Sequence, residues 1–157
     1  MRIGIGYDIH RFEAGRPLVL GGVPITGETG LAGHSDADVL LHVIIDALLG
    51  AAALGDIGAM FADTDPANSR RDSIEMLALA VTRVEAAGWR VGQVDVVVIA
   101  ETPRISPHRD AMRERIAGAA RCAVADVSIK GKTNEAMGFI GRGEGLACLA
   151  TATIVSA

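Results

Sequence analysis

The chain has 157 residues, 50% of them hydrophobic but only 3% aromatic, and a formal net charge of −4. That length fits one domain, residues 1–157, whose core must be filled mainly by small aliphatic side chains. Net acidity without a long basic run argues against nucleic-acid wrapping, and no uncharged run reaches the ~18 residues of a membrane helix, because His42 and Asp46 interrupt the longest candidate.

Arg2 to Ile9 reads as a strand. Leu18-Val19-Leu20 and Val23-Pro24-Ile25 flank Gly21-Gly22, a two-residue hairpin signal. Thr26 to Gly33 is a glycine-punctuated loop. Ser35-x-x-Asp38 resembles an acidic capping box and predicts a helix running to about Ala53. Gly55 to Pro66 reads as irregular and acidic. A second helix is expected from Ser73 to Ala87, stopped by Gly88. Val94 to Ala100 is β-branched and nearly continuous, the pattern of a buried strand. A third helix follows Pro107 to about Ala120. Val127–Lys130 and Leu146–Val155 complete the strands, separated by the glycine-rich loop 138–145.

Strands alternating with helices predict an α/β fold, an α+β-like two-layer sandwich. One mixed β-sheet would carry helices packed on one side, with a small hairpin added. So apolar a small chain predicts further burial between subunits. Met1-Arg2-Ile3-Gly4 leaves no room for a signal peptide ahead of the first strand. Cys122 and Cys148 form no C-x-x-C pattern, so no disulfide framework is expected and the reading is a cytoplasmic protein.

Asp8-Ile9-His10 carries the chemistry. Residues two apart on a strand share a face, so a carboxylate and an imidazole are presented together as ligands for a divalent metal such as zinc. A catalytic zinc needs a third protein ligand, for which His34, Asp36, Asp38, His42 and Asp46 are candidates. Asp38, His42 and Asp46 are spaced four apart and form one polar stripe on an otherwise apolar helix. His42, midway along it, is the preferred third ligand, with Asp46 or Asp38 as its orienting partner. The plainer alternative is a hydrogen-bonded core histidine beside an ordinary strand end. His108, at a helix start, takes no ligand role.

Two glycine patterns fail as nucleotide motifs. Gly4-Ile5-Gly6 would need its third glycine at Ile9, and residues 138–145 lack the G-K-[ST] of a Walker loop, so a tight turn between strands is expected there. Lys130-Gly131-Lys132-Thr133-Asn134-Glu135 offers two ammonium groups, a hydroxyl and a carboxylate at a strand end. That set suits a phosphate with a hard cation such as magnesium, or is simply a solvated loop.

Together, several stretches closely resemble the 2-C-methyl-D-erythritol 2,4-cyclodiphosphate synthases, a family of the non-mevalonate isoprenoid pathway. They are Arg2-Ile3-Gly4, Gly6-Tyr7-Asp8-Ile9-His10, Gly21-Gly22-Val23, His34-Ser35-Asp36, Asp46-Ala47-Leu48-Leu49-Gly50-Ala51, Gly55-Asp56-Ile57-Gly58, Asp63-Thr64-Asp65-Pro66 and Gly141-Arg142-Gly143-Glu144-Gly145. They span nearly the whole chain in order. The chain departs from the family at Lys132, often Thr, and at Ala62, often Pro.

The resemblance implies a homotrimer with active sites between subunits. It implies one Zn2+ per subunit on Asp8, His10 and His42, and Mg2+ or Mn2+ held by Glu135 with the substrate diphosphate. His34, Ser35, Asp56, Gly58, Asp63 and Asp65 would hold the methylerythritol phosphate. Ala100, Pro103, Arg104, Ile105 and Ser106 would form the cytosine-nucleotide pocket, with Lys132 and Thr133 nearby. Ile9, Ile57, Phe61, Thr64 and Asn134 are further substrate-contacting positions. Residues matching His34 and Thr133 are regarded in the family as transition-state stabilisers. Phe139 and Arg142 match positions that in some members cap an axial cavity and hold an isoprenoid diphosphate.

The implied reaction converts 4-diphosphocytidyl-2-C-methyl-D-erythritol 2-phosphate into the cyclic diphosphate and CMP. Two rivals use the same features: a zinc-dependent phosphohydrolase, and a non-catalytic trimer binding isoprenoid diphosphates.

Overall fold

Two glycines let a helix lie directly on a strand. In the computed structural model, which describes residues 1–62, 64–68 and 71–157 (Ala67 by its backbone only), strand β1 covers Arg2–Glu13. A Cβ added at Gly4 would stand 1.9 Å from the Ala47 carbonyl oxygen, and one at Gly6 2.0 Å from that of Val43. Both carbonyls belong to helix α1 (Val39–Ala52), so the helix axis approaches closer than any side chain on β1 would allow. Every residue of α1 except Asp46 and Gly50 is buried. A helix apolar on nearly every side must be covered on nearly every side. The sheet covers one face of α1, and α3 (Ser73–Ala86) packs against another.

Along the chain, β1 is followed by the hairpin β2 (Leu18–Leu20) and β3 (Val23–Ile25), then β4 (Gly30–Leu31), α1, α2 (Ile57–Met60) and α3. Then come β5 (Trp89–Ile99), α4 (Arg109–Ala120), β6 (Val127–Lys132), α5 (Gly138–Gly141) and β7 (Gly145–Ser156). The main sheet runs β4-β1-β7-β5-β6. It is mixed, as expected: β7 is antiparallel to both β1 and β5, while β5 and β6 are parallel and joined through α4. The hairpin turn at Gly21-Gly22 has φ of 59° and 73°, both left-handed, which is why two glycines sit there.

Several boundaries differ from the expectation. Helix α1 begins at Val39 with Asp38 as its N-cap, so Ser35 does not open it. The Asp38 carboxylate accepts the Leu41 N–H and, in addition, those of Gly21 and Gly22, tying the hairpin to the helix start. Stretch 55–66, read as irregular, contains α2, and the glycine-rich loop contains α5. Both are four-residue helices, too short to show a hydrophobic period. Strand β5 starts at Trp89, five residues before the predicted Val94.

On the sheet face away from α1, Ile3, Ile5, Tyr7 and Ile9 form a stripe 68%, 66%, 58% and 43% exposed. Single exposed apolar residues are ordinary, but four in a row on one strand face are not. Among the described residues, no helix is long and apolar enough to cross a membrane.

Candidate active site

Strand alternation places Asp8 and His10 on the helix-facing side of β1, and α1 brings His42 to them. His10 Nε2 lies 3.0 Å from Asp8 Oδ2, and His42 Nδ1 lies 3.3 Å from the same oxygen. One ligand atom from each of the three residues falls within 4.8 Å of the others. The two imidazole rings are tilted, with centroids 5.3 Å apart. A carboxylate oxygen and two ring nitrogens converging on one point are a donor set that fits a zinc-like divalent cation.

The rings are held from behind. His10 Nδ1 is hydrogen-bonded to the Ala32 carbonyl. A carbonyl only accepts, so Nδ1 carries the proton and, in the neutral ring, Nε2 turns a lone pair toward Asp8. His42, 9% exposed, meets two hydroxyls through Nε2: Ser35 Oγ at 3.1 Å and Ser73 Oγ at 3.2 Å. Burial opposes a charge on Asp8, but its close contacts with the His10 and His42 rings, and their charge when protonated, outweigh it and hold its carboxyl well below the usual range. Burial likewise disfavours protonated His10, yet the Asp8 carboxylate prevails and raises its pKa.

The expected orienting partners of His42 are corrected. Asp38 spends its carboxylate on the three backbone N–H groups of the hairpin and helix start. Asp46 accepts the Ile57 N–H at 2.7 Å, and its burial raises its pKa. Equal spacing put these residues on one stripe, but backbone arriving from other segments claimed them first. Ser35 and Ser73 stand behind His42 instead.

A cleft of about 230 Å3 opens beside the three ligands, lined by His10, Gly33, His34, Ser35, His42, Ile57, Gly58, Phe61, Asn68 and Met76. It gathers His34, Ser35, Ile57, Gly58 and Phe61 with the metal ligands. Asp56 sits at the start of α2, its carboxylate capping that helix through the Ala59 N–H at 2.7 Å. Thr64 and Asp65 are exposed and line neither this cleft nor the adjoining one of about 750 Å3. Asp63 lies outside the described residues.

A second group forms around the ends of the parallel strands. The Ala100 N–H donates to the Lys132 carbonyl at 2.9 Å. Glu101 Oε1 accepts from the backbone of Asn134 (2.9 Å) and Ala136 (3.2 Å), holding the loop in which Glu135 and Ala136 adopt left-handed φ of 51° and 58°. Thr133 donates to the Glu135 carboxylate at 3.1 Å. Pro103 and Ile105 are buried, whereas Arg104 and Ser106 are exposed. Asp8 and Val98 both pair with Cys148, so the loop after β5 leaves the sheet at the end where His10 sits. Even so, neither cleft beside His34 draws a lining residue from 100–106 or 132–135. Phe139 and Arg142 lie on and just after α5, where Arg142 pairs with Glu144 at 2.6 Å. His108 occupies the N-cap of α4 without a capping hydrogen bond from its side chain.

Ser73, Glu101, Gly33, Asn68 and Met76 were not singled out from the sequence. Ser73 comes to His42 from 31 positions away, and no local pattern marks such a pair.

The fold and site define an α/β protein with a metal-ligating Asp-His-His centre at one end of a mixed sheet. Residues 1–155 match the model of the YgbB family, and the chain belongs to that family. It is 56% identical over 156 residues to 2-C-methyl-D-erythritol 2,4-cyclodiphosphate synthase of Gemmatimonas aurantiaca, covering 99% of this chain and 94% of that one. It is 52% identical over 157 residues to the synthase of Escherichia coli, covering 100% and 99%. Among solved structures, the bifunctional IspDF of Campylobacter jejuni superposes with a TM-score of 0.96 at 39% identity, covering 99% of this chain and 42% of that one. The IspF–CDP complex of Plasmodium falciparum gives 0.87 at 34% identity, covering 99% and 96%. The activity is that of these synthases: a cyclising phosphorus–oxygen lyase that forms 2-C-methyl-D-erythritol 2,4-cyclodiphosphate in isoprenoid precursor biosynthesis.

Proposed function

We propose that Asp8, His10 and His42 hold Zn2+, and that the adjoining cleft binds the methylerythritol phosphate end of 4-diphosphocytidyl-2-C-methyl-D-erythritol 2-phosphate. The observation that carries this reading is the convergence of one carboxylate and two oriented imidazoles on the edge of a cleft lined by His34 and Ser35. When bound, zinc would supply positive charge and Lewis acidity beside a phosphate. Mg2+ or Mn2+ is assigned to Glu135, on the loop that Glu101 holds in place.

The 2-phosphate attacks the β-phosphorus and CMP leaves. That nucleophile is already anionic, so no serine, cysteine or general base has to activate it. The protein must instead reduce repulsion between phosphates, set them in line, and stabilise charge on the leaving CMP. His34 and Ser35 are suited to donate to the methylerythritol side, with Ile57, Gly58 and Phe61 lining the same cleft; Ile9, Asp56, Asp63, Thr64 and Asp65 are assigned to this substrate on the family resemblance alone. Lys132, Thr133 and Asn134 are suited to the diphosphate, and Ala100, Pro103, Arg104, Ile105 and Ser106 to the cytosine nucleotide. The solved Plasmodium falciparum relative with CDP supports a cytidine ligand.

The site is completed across a homotrimer interface. Two observations support this: the nucleotide-side loops do not reach the cleft of their own chain, and Ile3, Ile5, Tyr7 and Ile9 leave an apolar stripe uncovered. Phe139 and Arg142 are assigned to an axial cavity that takes an isoprenoid diphosphate. Residues 1–157 are read as one synthase domain, supported by a hydrophobic cluster shared, among the described residues, by the sheet and its helices. The cytoplasmic assignment is supported by two free thiols, Cys122 and Cys148.

The test is a turnover assay with and without chelator, read by CMP release and phosphorus NMR. The synthase yields CMP and a cyclic diphosphate in equal amounts; inorganic phosphate with a linear product would instead favour a phosphohydrolase. His42→Ala should lose most bound zinc and turnover while staying folded. A fully active, metal-free variant would sink the metal assignment.

A further inference from the structure

We propose that Asp36 and Ser73 are positioning residues that fix the proton of His42 on Nε2 and so keep Nδ1 free as a metal ligand. The inference rests on the reading of Asp8, His10 and His42 as a metal site. Its basis is a three-member chain of contacts running away from that site. His42 Nε2 lies 3.2 Å from Ser73 Oγ, a residue with no exposed surface. Ser73 Oγ in turn makes a 2.5 Å hydrogen bond to Asp36 Oδ1, while Asp36 Oδ2 accepts the Ser73 backbone N–H at 3.0 Å.

The polarity of this chain follows from counting protons. An ionised carboxylate only accepts, so the single hydroxyl proton of Ser73 points to Asp36. The oxygen of Ser73 then has only lone pairs for His42, which calls for a proton on Nε2. Ser35 Oγ, 3.1 Å from the same Nε2, accepts the Ala37 N–H at 3.1 Å and its hydroxyl can give or take a proton there, so the carboxylate-backed Ser73 is the partner that sets the direction. With Nε2 protonated, Nδ1 presents its lone pair on the Asp8 side of the ring. The Ala32 carbonyl fixes the tautomer of His10 by one contact; His42 needs two side chains because its back faces buried hydroxyls, which can either give or take a proton.

Asp36 also welds the loop that carries His34 and Ser35 to the start of α3. Its own N–H donates to the Arg71 carbonyl at 3.2 Å, completing the seam. The relay therefore sets both the ring's proton and its distance from β1. Partners behind a ligating histidine commonly change metal affinity by about 10–100-fold when removed.

Asp36→Asn tests the polarity with almost no change of shape. With the amide oxygen on the Ser73 N–H, the NH2 group takes the place of Oδ1: it donates to Ser73 Oγ and gives up the Asp38 N–H that Oδ1 accepts at 3.2 Å. That frees the hydroxyl proton for His42 Nε2 and drives the ring's own proton onto Nδ1. Nitrogen NMR of the chelator-treated wild type, at about pH 8 where an ordinary imidazole is neutral, should show His42 protonated on Nε2. The Asp36→Asn protein should show substantial Nδ1 protonation. Zinc affinity, measured by competition with a chromogenic chelator, should weaken about tenfold or more in Asp36→Asn, and also fall in Ser73→Ala.

A wild type already protonated on Nδ1 would overturn the proposal, even if neither variant folds. So would unchanged zinc affinity in two folded variants while His42→Ala loses the metal. A wild type that is protonated on Nε2 but takes up no zinc would instead bring down the metal reading, and the proposal with it.

Discussion

Asp38 and Gly22 are joined across the fold by a 2.7 Å hydrogen bond, from the Gly22 N–H to a carboxylate with no exposed surface. The other oxygen accepts from Gly21 at 2.9 Å and Leu41 at 3.1 Å, so one side chain closes a hairpin turn and starts the central helix. Asp38→Ala strands those donors. At about 1–3 kcal/mol for each buried unsatisfied group, and with partial relaxation, the expected loss is about 3 kcal/mol or more. Denaturant unfolding should show it as a lower midpoint with an unchanged slope.

The same residue predicts a pH dependence. Burial, reinforced by the nearby Asp36 charge, outweighs the three N–H groups and pushes the Asp38 carboxyl from 3.8 up to about 6. The folded state therefore holds this proton more tightly than the unfolded chain. The group's stabilising contribution is complete below about pH 3.8 and is lost as pH rises toward 6. A shift of that size corresponds to about 3 kcal/mol. Asp38→Asn cannot titrate there, so its stability relative to wild type should improve as pH rises across that window. A constant difference in unfolding free energy would refute the shift.

Gly6→Ala should be among the most damaging single-methyl additions in the chain. Its Cβ would fall 2.0 Å from the Val43 carbonyl oxygen, and backbone cannot swing aside as a flexible side chain can. Relief requires moving α1 off β1, which also separates His42 from Asp8. The expected cost is several kcal/mol, in the exceptional range for a point substitution, together with weaker zinc binding. Gly50→Ala, on the same helix with open space around the new methyl, serves as the control and should be neutral or mildly stabilising.

These contrasts show what local pattern can carry. Asp8 and His10 were legible because alternation on a strand is a local rule, and His42 because a polar residue in an apolar helix needs a partner. The long strands, the mixed sheet and the long helices followed from period and composition, but the strand order β4-β1-β7-β5-β6 did not. The relay through Ser73 was not legible: it depends on the loop before α1 meeting the N-terminus of α3, a tertiary event with no periodic trace. Asp38 and Asp46 were misread for the same reason, since stripe spacing reveals a shared face but not which backbone N–H groups will arrive there. Helices α2 and α5 are single turns and leave no period to detect.

Glu101 offers a test confined to the nucleotide side. Its Oε1 holds the Asn134 and Ala136 N–H groups and so maintains the left-handed backbone at Glu135 and Ala136. Left-handed conformations cost a non-glycine residue about 1–2 kcal/mol, so the loop needs that anchor. Glu101→Ala should raise the KM for the cytidyl substrate about tenfold, while zinc content stays at the wild-type level because Asp8, His10 and His42 are untouched. Loss of zinc in a folded Glu101→Ala protein would contradict the separation of the two groups. Glu101→Gln retains an acceptor oxygen and should recover most of the binding.

Sharing of sites between subunits has a quantitative signature. Asp8→Asn disables the metal side of a site and Thr133→Ala the diphosphate side; each homotrimer alone should be inactive or nearly so. In a cyclic, head-to-tail trimer each site takes one side from each of two neighbours. When the two variants are mixed in equal amounts and allowed to exchange freely, a site is intact only if one neighbour is the Thr133→Ala chain, supplying a good Asp8, and the other is the Asp8→Asn chain, supplying a good Thr133. Each condition is met half the time, so about one quarter of wild-type activity should return. Sites built within single chains would return none. Subunit exchange verified by native mass spectrometry, with no recovery of CMP release, would place both sides in one protomer and require the loops at 100–106 and 132–135 to reach the cleft of their own chain.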